Sequence, residues 1–290
     1  MAAGNSESGR PFDKCNSPDA LIDRGGMHID RLALSGNDTL SFSTSDSQRP
    51  PDSTISQAVV LSSYTASMRS QSAKAVAQPR VGEGFWIDHA EICEQDIEWL
   101  AQTERLTLWN VKVPDGFLSR MPRLWWLDLR GGTLEDLSIC AGAGALEYLR
   151  VSHVRGLHDI GIVGDLERLR YLDLYALSKL TVFPSCKTLR LLERAVLGQL
   201  KGLKELGGLL EAPNLRELAL SKRVGVSESD TMAIRAHPKM ERFIWDPADV
   251  PVSVRQPVVD AIRLPEFYCG WPLDWFAERG RGPGKGHGHG

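Results

Sequence analysis

The sequence predicts an α/β solenoid, with a parallel β-sheet of about seven strands on a concave face and short helices or turns on the convex face. Five hexads of the form L-x-x-L-x-L are spaced 22, 23, 23 and 23 residues apart, and they open at Leu124, Leu146, Leu169, Leu192 and Leu215. Self-similarity at such a period is typical of stacked repeats. Alternation with a period of two inside each hexad predicts strands that bury the leucines and expose the residues between them.

Composition narrows the range of partners. The chain has 290 residues, of which 42% are hydrophobic, enough to bury a core. Its 34 Lys+Arg against 37 Asp+Glu give no basic excess, so we expect no nucleic-acid partner. The sequence has no apolar run of the roughly 18 residues needed to span a bilayer and no apolar N-terminal signal, so we expect no membrane partner and a cytoplasmic location. The five cysteines are scattered without C-x-x-C spacing, which predicts reduced thiols; we expect no cofactor and no metal.

The first 80 residues differ in composition from the rest. Residues 1–80 are rich in Ser, Thr, Asp, Gln and Pro and hold too few apolar residues to offset the entropy of ordering, so we predict a disordered N-terminal region. Within it, residues 27–43 alternate in polarity around a turn and are compatible with a lone hairpin. Met68 stands just ahead of the first structured-looking stretch, and a translation start there is an alternative.

A dense apolar segment and seven hexads follow. We predict an N-terminal cap over residues 81–102, with a short helix across residues 94–102, because the first repeat of a solenoid must be shielded. The repeat region covers residues 103–250. Its seven predicted strands lie in hexads 103–108, 124–129, 146–151, 169–174, 192–197, 215–220 and 240–245. Pro122, Pro213 and Pro238 each stand two residues before a hexad, which independently supports this register.

Segments such as PRLWWLDLRGGTLEDL and PNLRELALSK resemble the leucine-rich repeat family, in the style of bacterial cytoplasmic domains with repeats of 21 to 25 residues. The resemblance covers residues 97–250. It implies a curved solenoid that recognises proteins with its concave face. The chain departs from the family where Asn or Cys often follows the last hexad leucine by three residues. That slot holds Val111, Gly132, Val154, Leu177, Leu200 and Arg223. The repeat subtype therefore stays open.

Three columns of side chains are expected to face solvent across the predicted strands: the third and fifth hexad residues and the residue after the hexad. The first column is Arg105, Trp126, Tyr148, Tyr171, Arg194, Glu217 and Arg242. The second column is Thr107, Asp128, Arg150, Asp173, Val196, Ala219 and Ile244. The third column is Trp109, Arg130, Ser152, Tyr175, Gly198, Ser221 and Asp246.

Aromatic residues and arginines gather in the first four strands of these columns. Such side chains are enriched at binding hot spots. The predicted protein-binding residues are Trp109, Trp126, Asp128, Arg130, Tyr148, Arg150, Tyr171, Asp173 and Tyr175. The alternative is purely structural: aromatic rings stacked to stabilise the sheet face, and a cross-strand charge ladder of Asp128, Arg150 and Asp173.

The leading functional hypothesis is a non-enzymatic module that binds a protein partner and is itself a monomer. One alternative is a structural protein that self-associates through the aromatic face. Another is a small hydrolase or transferase that uses His153 or His158 with Asp159. An inhibitor or immunity protein is a narrower version of the first hypothesis and rests on analogy alone.

The C-terminal part of the chain is expected to shield the last repeat. We predict a cap over residues 251–279 with a short helix at residues 258–262, followed by a flexible Gly/His tail over residues 280–290. Ahead of residues 251–279, Ser227 or Ser229 is expected to be the N-cap residue of a short helix that ends at Pro238. The alternative for the cap is a peptide motif in which Trp271, Leu273, Trp275 and Phe276 dock a partner.

Overall fold

Nine strands pair into one sheet in the computed structural model, which describes residues 71–80, 84–246 and 248–281. The strands are β1 (Gln71–Ser72), β2 (Gln78–Arg80), β3 (Gly84–Asp88), β4 (Ala90–Glu91), β5 (Arg105–Trp109), β6 (Trp126–Arg130), β7 (Tyr148–Ser152), β8 (Tyr171–Tyr175), β9 (Arg194–Leu200), β10 (Glu217–Val224) and β11 (Arg242–Trp245). The sheet runs in the order β11-β10-β9-β8-β7-β6-β5-β3-β2. Only β2 is antiparallel to its neighbour, and β1 pairs separately with β4.

Short helices and turns connect the strands. The α-helices are α1 (Ala73–Val76), α2 (Ile97–Leu100), α3 (Gly207–Leu210), α4 (Glu228–Ala236), α5 (Val252–Ile262) and α6 (Pro272–Glu278). Single 3₁₀ turns lie at Glu94–Asp96, Leu118–Arg120, Ser138–Cys140 and Gly161–Asp165. Ser227 begins α4 with a capping box, in which its hydroxyl accepts from the Asp230 N–H at 3.0 Å and its own N–H donates to the Asp230 carboxylate at 2.9 Å. The prediction of a cap at Ser227 is confirmed.

All seven predicted hexads form strands, and they pair in the predicted register. In the first column, for example, Trp126 lies opposite Tyr148, and Tyr148 opposite Tyr171. The estimate of about seven strands falls two short, because β2 and β3 lack the leucine spacing of the hexads. Residues 71–80, predicted to be disordered, form β1, α1 and β2 instead. Residues 1–70, including the predicted hairpin, and the tail from residue 282 lie outside the described residues.

The same turn follows seven successive parallel strands. The residue after the core of each strand has a left-handed backbone, with φ between 47° and 62°, and these residues are His89, Asn110, Gly131, His153, Ala176, Gln199 and Lys222. Its N–H continues the ladder, as where Asn110 donates to the Arg130 carbonyl at 2.7 Å. The backbone thus repeats one strand-turn unit from β3 to β10, so β3 belongs to the repeating array rather than to a separate cap.

One face of the sheet carries the main core. The first, fourth and sixth hexad residues point into it and pack against apolar side chains of the connections, such as Leu157 and Leu180. Leu149 and Leu172, both fourth-position residues, are fully buried. Burial of one such side chain stabilises a fold by about 1.5–3 kcal/mol. The leucines therefore stabilise the sheet by packing on one of its faces, and the three columns of side chains lie on the opposite face.

The C-terminal region divides between the end of the sheet and its second face. Helix α5 packs against β11 and α4, as a cap of the last strand would. Arg263 then takes a left-handed conformation, and the Pro265 carbonyl accepts from the Phe243 N–H at 3.1 Å. Residues 265–281 continue across the face that carries the columns. We call them the C-terminal strap.

Candidate binding face

The candidate site is the sheet face opposite the main core. The three columns lie on it in the predicted order, and β3 adds Gly84, Trp86 and Asp88 at one end. The rings of Trp126 and Tyr148 stack with centroids 3.7 Å apart. Next along the sheet, Tyr148 meets Tyr171 edge to face at 5.2 Å. The structure therefore brings three of the five predicted aromatic residues, Trp126, Tyr148 and Tyr171, into one continuous row, whereas Trp109 and Tyr175 lie in another column.

The expectation that the columns face solvent is wrong for several residues. Tyr148 and Tyr171 are each 1% exposed, and Asp173 is 6% exposed. The cause is the C-terminal strap. The Phe276 ring lies 6.2 Å from the Tyr148 ring and 6.4 Å from the Tyr171 ring. Part of the predicted binding face is thus covered by the chain itself.

The strap is amphipathic across the face. Phe267, Cys269, Trp275 and Phe276 turn inward and form a second core with the column residues. Tyr268, Trp271 and Leu273 point outward and are substantially exposed. The structure thus divides the four residues of the proposed docking motif: Trp275 and Phe276 pack on the chain's own sheet, while Trp271 and Leu273 remain on the surface.

Charged contacts complement the aromatic packing of the strap. The Trp275 indole N–H donates to Glu217 Oε2 at 3.0 Å. The Arg279 guanidinium lies 4.0 Å from the centroid of the Trp275 ring and 3.6 Å from a Glu217 carboxylate oxygen. Arg281 reaches Glu147 at 3.2 Å and covers the Trp125 ring at 5.0 Å. The two arginines of the strap therefore form ion pairs with acidic residues of the sheet.

One of those acidic residues, Glu147, belongs to a charge ladder that was not predicted from the sequence. It occupies the second hexad position, where charges alternate in sign from strand to strand over Glu147, Arg170, Glu193, Arg216 and Glu241. Arg170 lies 3.6 Å from Glu147 and 3.3 Å from Glu193. Alternation at one fixed hexad position was the available signal.

The ladder predicted at the fifth hexad position is also present. Arg150 lies 3.9 Å from Asp128 and 3.5 Å from Asp173. Two guanidinium nitrogens of Arg130 donate to the Asp128 carboxylate, and the shorter of these hydrogen bonds is 2.7 Å. The Asp173 carboxylate raises the pKa of Arg150, whereas burial raises the pKa of Asp173 itself above its ordinary value. These charges sit in a poorly hydrated layer, where each depends on its partner.

Outside the strap contacts, the face presents an aromatic cluster over β2, β3, β5 and β6. We call Arg80, Trp86, Trp109 and Arg130 the N-terminal aromatic patch. Arg80 and Arg130 each place a guanidinium 4.9 Å from the centroid of the Trp86 ring. The Trp86 and Trp109 rings are 5.8 Å apart, and both side chains are half-buried. Trp86 was not among the predicted binding residues, because residues 81–102 were assigned to an N-terminal cap.

Tyr175, in the middle of the third column, is a further correction. It was expected to be exposed but is 6% exposed. Its ring lies flat over Gly198, where an added Cβ would stand 2.5 Å from a ring carbon, and its hydroxyl donates to Gln199 at 3.2 Å. Because residue 198 is glycine, the Tyr175 ring can pack flat against the sheet instead of facing solvent.

The three residues of the enzymatic alternative make local contacts. The His153 ring packs against Tyr175 at 5.2 Å, and a His158 ring nitrogen lies 3.2 Å from the Gly156 carbonyl. Asp159 accepts from the Gly161 N–H at 2.7 Å, which holds a turn. Within the described ranges, no group of three His, Cys, Asp or Glu residues is placed to hold a metal ion. Nor does any helix in those ranges have the length and apolarity to cross a bilayer.

Comparison with known proteins gives a short match. No known protein family matches the sequence. A "Roc-COR-CHAT protease" from an unknown prokaryotic organism is 46% identical over 59 residues, which make up 20% of this chain and 6% of that protein. The chain thus spans a small fraction of the relative's length.

Proposed function

We propose that the chain is a non-enzymatic protein-binding module. In this proposal it is a leucine-rich repeat solenoid, monomeric and cytoplasmic, that binds a partner protein through the N-terminal aromatic patch. The repeating strand-turn unit from β3 to β10 supports the family assignment. The observation that carries the binding role is the pair of half-buried tryptophans, Trp86 and Trp109, at the end of the face that the strap contacts do not reach, with two arginines over the Trp86 ring.

The chemistry of the patch suits a binding hot spot. Tryptophan and arginine dominate such sites, because a large rigid ring carries a polar handle at a low cost in conformational entropy. Arg130 is held from below by Asp128 and from the side by Trp86, so its guanidinium is fixed before any partner arrives. Such preorganisation reduces the entropic cost of association. The patch covers four neighbouring strands, so at about 4.8 Å between strands it spans roughly 14 Å.

The short match bears on the origin of the proposed module. A match to a prokaryotic protein favours a prokaryotic origin for the module. Its 59 residues equal between two and three of the 22 to 23 residue periods. We do not extend the protease in the relative's name to this chain, since the shared segment is 6% of that protein.

Affinity capture from native prokaryotic lysate tests the proposal. The chain with Trp109→Ala and Arg130→Ala is compared with the unaltered chain, and Tyr268→Ala, an exposed aromatic on the strap, serves as the matched control. We expect one or more proteins to be retained by the unaltered chain and by the control, and to be depleted at least about tenfold by the double variant, as loss of a hot spot implies. Equal retention by a double variant whose circular dichroism is unchanged would contradict the proposal.

A further inference from the structure

The contact between the strap and the sheet has the composition of an interface between proteins. Arg194 and Glu217 form an ion pair at 2.5 Å beneath the strap, and they are 5% and 4% exposed. The Arg194 guanidinium also lies 5.1 Å from the centroid of the Phe267 ring. Aromatic residues and arginines with satisfied charges are enriched where two proteins meet. The main core on the opposite face, by contrast, consists of apolar side chains.

The strap is held from one side. Its outward residues Tyr268 and Trp271 are 54% and 44% exposed, so no further layer of the described chain encloses them. Helix α6 has seven residues. Isolated helices shorter than about 12 residues are marginal in water, so α6 owes its helical form to docking. An element of this kind can leave the sheet without dismantling the main core.

The two sides of the contact are chemically complementary. The strap offers an adjacent aromatic pair, Trp275 and Phe276, followed by Arg279 and Arg281. The sheet offers a bed of aromatic rings, which are those of Trp125, Trp126, Tyr148 and Tyr171. It also offers the carboxylates of Glu147, Glu193 and Glu217, which meet the two arginines at 3.2 to 3.6 Å.

We propose that the C-terminal strap is a built-in ligand and that this face of the sheet takes a partner segment of the same chemistry in its place. That segment is a short helix with two adjacent aromatic residues followed within about five residues by arginine. The inference goes beyond the proposed function, because it adds a second binding site on the same sheet face, beside the N-terminal aromatic patch, and names the chemistry of its partner. Because the strap is tethered, it competes at a high effective concentration and lowers the partner's apparent affinity.

Peptide binding to the full chain tests this inference. A fluorescent peptide of residues 264–281 is titrated with the unaltered chain and with the Phe276→Ala chain, and anisotropy is measured. Phe276→Ala weakens the chain's own strap, so we expect its dissociation constant for the peptide to be at least about tenfold lower than that of the unaltered chain. A peptide carrying Trp275→Ala and Phe276→Ala should not bind.

A second variant keeps the test decisive if Phe276→Ala compromises folding. Arg279→Ala with Arg281→Ala removes the ionic contacts of the strap and leaves its aromatic pair, and it should also bind the peptide more tightly than the unaltered chain does. Equal affinity of the three chains, or no binding by folded variants, would overturn the inference. If capture that depends on Trp109 and Arg130 is observed while peptide binding fails, this inference alone is rejected. If the peptide binds as expected while the Trp109→Ala/Arg130→Ala chain captures as much protein as the unaltered chain, the proposed function alone is rejected.

Discussion

Leu172 and Asp173 are neighbours in β8 and point to opposite faces of the same sheet, with exposed fractions of 0% and 6%. Leu172 is surrounded by apolar side chains of the main core. Asp173 lies under the strap, 3.5 Å from Arg150. Equal burial thus comes from two different environments: on one face the repeats pack against their own connections, and on the other a charged aromatic surface is covered by a separate segment.

The difference assigns a separate role to each face. Apolar packing is non-directional, and its contributions to the free energy of folding add up over all the repeats. Buried ion pairs add little to stability, but they discriminate strongly between partners. We therefore expect the leucine face to set the stability of the fold and the strap-covered face to set what the fold binds. Changes on the two faces should differ in size and in extent.

The largest effect is expected on the leucine face. Leu172→Ala leaves a cavity in the main core and should lower the free energy of unfolding by about 2–5 kcal/mol. Urea denaturation followed by circular dichroism measures the loss. Val182→Ala, at a side chain that is 60% exposed, is the control and should stay within about 0.5 kcal/mol of the unaltered chain. A loss below 1 kcal/mol for Leu172→Ala would contradict the expectation that the leucine face sets the stability of the fold.

A smaller loss is expected from the strap. Removal of a fully buried phenylalanine from a core costs about 3–5 kcal/mol. For Phe276→Ala the cost cannot exceed the free energy of docking the strap, because the strap detaches once that is lost; we expect about 1–3 kcal/mol. The same urea experiment tests this. A cost at the full core value, with no change in peptide binding, would show the strap to be a permanent part of the core.

The charge beneath the strap should make stability depend on pH. Burial raises the pKa of Asp173 above its ordinary 3.8, so the folded chain holds this proton more tightly than the unfolded chain does. The contribution is therefore fully present below pH 3.8 and is lost as the pH rises through the pKa of the folded state. Asp173→Asn does not titrate, so its stability relative to the unaltered chain should rise between about pH 4 and pH 7. A constant difference across this range would contradict the assignment.

The smallest effect is expected at the end of the strap. Arg281 is 42% exposed and contacts Glu147. Exposed ion pairs contribute little, so Arg281→Ala should cost about 0.5 kcal/mol, and the cost should shrink in 1 M salt. Unfolding at low and high salt checks both statements. A loss that is independent of salt would mean that Arg281 acts through its packing on Trp125 instead.

Local patterns in the sequence were enough to predict the sheet. The hexad spacing predicted which strands pair, their register and the three columns, since alternation and repeat length are local properties. Strand β3 escaped prediction because Gly82 stands at the first hexad position, where five of the seven predicted hexads have leucine. Phe85 and Ile87 then fill the fourth and sixth positions without leucine.

The cover of the candidate site could not be predicted in the same way. Tyr171 meets Cys269 across 98 residues of sequence, and no repeat connects them. The aromatic residues of the C-terminal segment indicated a docking element, but composition alone does not tell an internal ligand from a ligand for another protein. The burial of Tyr148 and Asp173 follows from the long-range docking of the strap, which places Phe276 against Tyr148 and residues 269–272 beside Asp173.

Thiol labelling of the native chain tests most directly whether the two faces open independently. Cys269 is a strap residue that packs against the sheet, whereas Cys140 and Cys186 lie in the main core, and all three are at most 2% exposed. Burial raises the pKa of Cys140 and of Cys186 to about 12, so these thiols react only when the surrounding structure opens. Exposed Cys93 reports the unhindered rate.

Mass spectrometry after timed labelling gives a rate for each cysteine under native conditions. If the strap is a docked ligand on an independently stable sheet, Cys269 should react at least about tenfold faster than Cys140 and Cys186, since it needs only local release. If Cys269, Cys140 and Cys186 react at one common rate, the strap opens only when the whole fold does, and the division of roles between the two faces is wrong.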